Sequence, residues 1–139
     1  MSEPSSPDRS GHVGTVVTHR RYVPYSHAHY AGNLVDGAYS LGLFGDVATE
    51  MCIVLDGDEG LFASYSDVQF KAPVRAGDVL EINATLVREG TRSRVMEFAV
   101  HVVGRGAPTD DAPGAAGVLD PPIVATTATG TVVVPPRGD

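Results

Sequence analysis

Seven side chains able to bind, donate or move protons fall within 25 consecutive positions: His27, His29, Tyr30, Asn33, Asp36, Asp46 and Glu50. Asp46 and Glu50 interrupt what otherwise reads as a long apolar helix. Burying an ionisable group in such an element costs several kcal/mol unless it is paired. Groups placed there are therefore candidates for chemistry. Asp46 and Glu50 are four apart, so they share a helical face, and a carboxylate pair suits proton transfer. Glu50 also has a plain account, a solvated or Arg-paired residue at a helix end. Asn33 and Asp36 have one too, as helix cap and dipole compensation.

These residues need a scaffold, and the periodicity supplies one. Residues 13–23 are β-branched and aromatic and predict a strand. A loop over 24–32 carries His27, His29, Tyr30 and Gly32. From Asn33, read as the N-cap, Leu34, Ala38, Leu41, Gly45 and Ala48 mark one face of a helix. Phe44 and Val47 add a second face, so the helix is expected to be enclosed nearly all round. Gly42 and Gly45 weaken it by about 1 kcal/mol each, tolerable where another segment passes close. Residues 51–55 read as a short apolar strand and 56–60 as a turn. Strands follow over 61–71 and 79–88, the latter with Leu80, Ile82, Ala84 and Leu86 alternating. Met96, Phe98, Val100 and Val102 alternate in the next, and a last strand covers 123–134. Between them, 104–122 is rich in Gly, Pro, Ala and Asp and reads as a flexible loop. The whole is α+β: one long helix wrapped by a curved antiparallel sheet.

Bulk properties narrow the function class. At 139 residues the chain suits one domain, expected over 12–135, with a disordered tail at 1–11 and a short tail at 136–139. A net charge of −7 without clustered Lys or Arg argues against nucleic acid. With no unbroken run of about 18 apolar residues, no membrane span is expected, and the polar N-terminus lacks a signal-peptide core. Cys52 is alone, so no internal disulfide forms. These features predict a cytoplasmic protein. His27 and His29 supply at most two ligands, too few for a metal site, and His12, His19 and His101 show no partner pattern.

Several separated motifs carry a resemblance. Gly32-Asn-Leu-Val-Asp-Gly37 and Phe70-Lys-Ala-Pro-Val-Arg-Ala-Gly-Asp78 resemble the hotdog fold of acyl-CoA thioesterases and dehydratases. His29-Tyr-x-Gly-Asn-Leu-Val-Asp-Gly-Ala38, Phe44-Gly-Asp-Val-Ala-Thr-Glu50 and Asp56-Gly-Asp-Glu-Gly-Leu-Phe62 are more specifically similar to 3-aminobutyryl-CoA ammonia-lyases and their β-alanyl-CoA relatives. Pro121-Pro-Ile-Val124 and Ala128-Thr-Gly-Thr131 fit as well. His27 departs from that pattern, standing where an acidic residue is common.

The resemblance implies reversible loss of ammonia from a 3-aminoacyl-CoA, giving a 2-enoyl-CoA. It implies no cofactor, CoA being part of the substrate. Glu50 or Asp46 would move the Cα proton, while the other carboxylate, with His29 or Tyr30, receives the amino group. Gly32, Asn33, Leu34 and Asp36 would bind the substrate, with helix-start amides polarising the thioester carbonyl. Arg88, Arg92 and Arg94 either meet the CoA phosphates or are merely solvated. A homodimer, or an assembly of dimers, is expected to combine residues from two subunits in the site. Alternative readings are an acyl-CoA thioesterase, an enzyme adding another amine to an unsaturated thioester, or a CoA-ester sensor.

Overall fold

A computed structural model describes residues 9–136. The expected tails lie partly outside it, at 1–8 and 137–139. Residues Arg9–His12 form a 3₁₀ turn. The remaining elements are β1 (Val16–Tyr22), β2 (Ala28–Tyr30), β3 (Leu34–Val35), α1 (Gly37–Asp56), β4 (Leu61–Phe70), β5 (Val79–Glu89), β6 (Ser93–Gly106) and β7 (Ala116–Val133). Five strands form one antiparallel sheet in the order β1-β5-β6-β7-β4. β2 and β3 make a separate small ribbon. This is the expected hotdog arrangement.

The strand alternation lands as predicted. Leu80, Ile82, Ala84 and Leu86 of β5 and Met96, Phe98, Val100 and Val102 of β6 are all buried. They face Leu43, Phe44, Val47, Ala48, Met51 and Cys52, the buried stripe of α1. Phe44 stacks on Phe98 with ring centroids 5.0 Å apart.

Three expectations are corrected. The segment 51–55 is not a strand but the last turns of α1, because Met51 and Cys52 continue the buried stripe. A five-residue apolar run cannot by periodicity alone be told from helix. The helix stops at Gly57, whose φ of 66° suits a left-handed cap and whose N–H donates to the Ile53 carbonyl at 3.0 Å. Second, α1 is not enclosed: Gly42, Asp46, Thr49, Glu50, Ile53 and Val54 are exposed. Among the described residues, the helix's own backbone aside, nothing lies within 4 Å of where a Cβ at Gly42 or Gly45 would sit.

Third, much of 104–122 is paired strand, with Gly104 opposite Val118, Arg105 opposite Gly117 and Gly106 opposite Ala116. Small residues hide the pattern, but their backbones still join the ladder. The register shifts between Val102 and Gly104, beside Pro121 and Pro122, which have no N–H to give. By length and composition α1 would qualify to cross a membrane. Its stripe against the sheet makes it the core helix.

Candidate active site

The backbone before α1 sets up the site. Gly32 and Asn33 both have positive φ, 74° and 62°, a conformation Gly and Asn tolerate best. Helix therefore cannot start at Asn33. The N-cap is Asp36, three residues on. Asn33 instead accepts the Ala76 N–H on its carbonyl at 2.9 Å, and Val35 N–H donates to Val74 O at 2.8 Å. These bonds moor the helix entry to the segment after β4. The Asp36 side chain makes no capping bond. The first amides of a helix have no intrahelical acceptor and carry the positive end of its dipole.

That helix start opens into a cleft of about 640 Å³. His29 and Tyr30 form one wall, with rings meeting edge to face at 4.6 Å. Leu34, Asp36, Gly37 and Ala38 form the helix side, and Phe70 to Val74 the opposite wall. The Phe70 ring sits so close to Gly37 that any Cβ there would overlap it. Ser40 and Thr126 reach the cleft, both buried, and Lys71 lines it as an exposed cation. Of the expected site residues, the cleft gathers His29, Tyr30, Leu34 and Asp36. Gly32 and Asn33 shape the entry without lining it.

Asp46 and Glu50 are elsewhere. They lie nine and thirteen residues beyond Gly37, about 14 and 20 Å along the axis. Asp46 lines a separate hollow of about 330 Å³ against β1, beside His19, Arg20 and Arg21. Glu50 Oε1 is 2.6 Å from His19 Nε2, on the exposed side of the helix. Within one chain, then, the two carboxylates do not meet the cleft.

Ser40, Phe70, Lys71 and Thr126 escaped the sequence reading as site residues. Phe70 and Lys71 open one of the recognisable motifs. Thr126 is legible only through the pairing that sets it opposite Phe70.

The other candidates have structural partners. The His27 ring lies 4.6 Å from that of Tyr39, whose hydroxyl accepts from Arg21 Nε at 3.2 Å. His12 Nδ1 is 3.0 Å from Glu89 Oε1. Arg94 is no phosphate ligand: it forks onto Asp56 at 2.7 and 2.9 Å, with both side chains buried. The Asp56 hydrogen bond raises its pKa further. Arg92 donates to Val134 O at 3.1 Å. His101 Nδ1 is buried without a hydrogen-bond partner. Among the described residues no cluster of three or more His, Cys, Asp or Glu could hold a metal ion.

A curved sheet around one helix, with a cleft at the helix start, defines a hotdog protein, and residues 32–108 match the thioesterase superfamily. A 3-aminobutyryl-CoA ammonia lyase of Acetoanaerobium sticklandii is 52% identical over 110 residues, 78% of this chain and 85% of the relative. The solved β-alanyl-CoA:ammonia lyase of Clostridium propionicum matches with a TM-score of 0.82 and 36% identity, over 88% of this chain and 86% of that one. Within the superfamily, this chain belongs to the family of these CoA-thioester ammonia lyases. A hexameric hotdog fold thioesterase of Campylobacter jejuni shares the fold, with a TM-score of 0.69 and 24% identity over 86% and 82% of the two chains.

Proposed function

We propose that this protein is an ammonia lyase that interconverts 3-aminobutyryl-CoA and crotonyl-CoA plus ammonia, as a cytoplasmic enzyme without an added cofactor. The observation that carries the reading is the start of α1, with no side-chain cap, opening into a cleft roomy enough for an acyl thioester. The free amides of Gly37 and Ala38 polarise the thioester carbonyl and stabilise the enolate that forms when the Cα proton leaves. A carboxylate takes that proton. The Cα–Cβ double bond then forms as the C–N bond breaks, and ammonia departs with the bonding pair. Lys71, at the cleft, is the cation suited to a CoA phosphate.

Glu50 and Asp46 remain the candidate proton carriers, delivered by a second subunit. Two features support a partner chain. β4 is an edge strand with Leu61 and Phe70 exposed, and unpaired edges invite another strand. The exposed face of α1 carries Gly42 and, further along, Ile53 and Val54.

Supplying 3-aminobutyryl-CoA should produce the enoyl-thioester absorbance. Folded Glu50→Gln or Asp46→Asn variants should slow it by about 10²- to 10⁴-fold. Wild-type rates in both variants would sink the carboxylate assignment, and a fully active monomer would sink the shared site. Crotonyl-CoA incubated with ammonia, with glycine and with water alone separates the competing chemistries by product mass. Thiol release without ammonia exchange would make the protein a thioesterase instead.

A further inference from the structure

The inner end of the cleft holds polar atoms that the mechanism above leaves unused. Ser40, on the first turn of α1, and Thr126, on β7, are each 2% exposed, yet both line the cleft. Thr126 Oγ1 donates to Ser40 Oγ at 3.4 Å, beyond the usual range for hydroxyl pairs. Neither side chain makes another hydrogen bond among the described residues. Each hydroxyl offers a proton and two lone pairs, so this long contact leaves most of their capacity unmet. Buried hydroxyls that share one long hydrogen bond keep lone pairs free for a group entering the cleft. A ligand group with donors would complete them.

We propose that Ser40 and Thr126 form the subsite that recognises the 3-amino group of the acyl chain and so selects 3-aminoacyl-CoA over unsubstituted acyl-CoA. This rests on the ammonia-lyase reading and adds to it. Ser40 lies three residues beyond Gly37, about 4.5 Å along the helix axis. In the substrate, two C–C bonds and one C–N bond, each about 1.5 Å, separate the carbonyl carbon from the amino nitrogen. A carbonyl held near the helix-start amides leaves its 3-substituent within the cleft that the two hydroxyls also line. An ammonium group has only donors, and the free lone pairs accept them. A plain acyl chain would bring methylene there and leave them empty, the condition under which a hydrogen-bonding site rejects an analogue most strongly.

Ser40→Ala and Thr126→Val keep shape and suit helix and strand respectively, so both variants and their double should fold. The assay compares kcat/KM for 3-aminobutyryl-CoA with the inhibition constant of butyryl-CoA, which lacks the amino group. The expected result is a loss of about ten- to hundredfold in kcat/KM for the double variant, with butyryl-CoA inhibition within about twofold of wild type. Unchanged kcat/KM in the double variant overturns the proposal. An equal loss for both ligands also overturns it, since that marks a purely structural pair. Absence of ammonia release by the wild-type enzyme refutes the lyase reading itself, and the subsite with it.

Discussion

The two ends of α1 are built on opposite plans. At its C-terminus Gly57 closes the backbone, and Asp56 receives a bidentate Arg94 that also contacts Glu89 at 3.3 Å and the carbonyls of Gly90 and Ser93. Glu89 is held in turn by His12. At its N-terminus Asp36 caps with no side-chain bond, and a cleft takes the place of a neighbour. One end fastens the helix to the β5–β6 hairpin, while the other opens into the cleft proposed to take the substrate. The helix fastening and the cleft thus lie at opposite ends of one element about 30 Å long, the length of its 20 residues.

Breaking the closed end should have the largest effect. Arg94→Met breaks a buried bidentate pair with Asp56 and removes one contact of Glu89, and breaking such a pair typically costs about 3–5 kcal/mol. Denaturant unfolding should register about that loss, with kcat per folded molecule unchanged. A comparable loss of kcat in folded protein would mean that the two ends are coupled.

Alkali probes the same end more gently. Burial, reinforced by the Asp56 charge, pushes the Cys52 thiol from 9.0 up to about 11. The unfolded chain releases this proton near pH 9 but the folded chain only near 11. The unfolded state therefore binds fewer protons in that window, and stability falls as pH rises. The contribution is complete below pH 9 and lost above 11, with a slope approaching 1.4 kcal/mol per pH unit. Burial raises Tyr65 likewise, to about 12, which adds a later loss. Stability measured against pH should flatten between 9 and 11 in Cys52→Ala; an unaltered slope would assign the alkaline loss to other groups.

At the open end Gly37→Ala tests sterics against affinity. Alanine favours helix over glycine by about 1 kcal/mol, but its Cβ would displace the Phe70 ring, which is exposed enough to swing aside. Stability should stay within about 1 kcal/mol of wild type while KM rises roughly tenfold. Adding Phe70→Leu should restore part of that affinity, and additive effects of the two changes would show that they do not meet.

The closed end and the open end were not equally legible in the sequence. Strand alternation in β5 and β6 reads directly, because one buried face imposes a period of two. Hotdog topology was reachable through separated motifs around Gly37 and Asp78. The Arg94–Asp56 pair was hidden, since the partners are 38 residues apart and Arg94 sits beside a turn that looks solvated. Helix start and stop were misplaced for local reasons: Asn33 resembles a cap but adopts positive φ, and β-branched Ile53 and Val54 resemble strand. Asp46 and Glu50 share one helical face as their spacing predicts, but that face is exposed rather than enclosed, and their distance from the cleft depends on tertiary packing that no local spacing encodes. Ser40 and Thr126 join the site only when β7 lies across the first turn of α1.

The smallest effect separates two kinds of glycine. Gly37 needs its missing Cβ for space, while Gly57 needs it for backbone conformation, since nothing lies within 4 Å of a Cβ there but φ is 66°. Gly57→Ala should cost about 1 kcal/mol, the penalty of a left-handed residue with a side chain. It should leave kcat and KM untouched, because the helix stop lies at the far end from the cleft. Asn at the same position, which tolerates this conformation better, should recover part of the loss in thermal unfolding. If alanine and asparagine destabilise equally, the cap's contribution lies in something other than its positive φ.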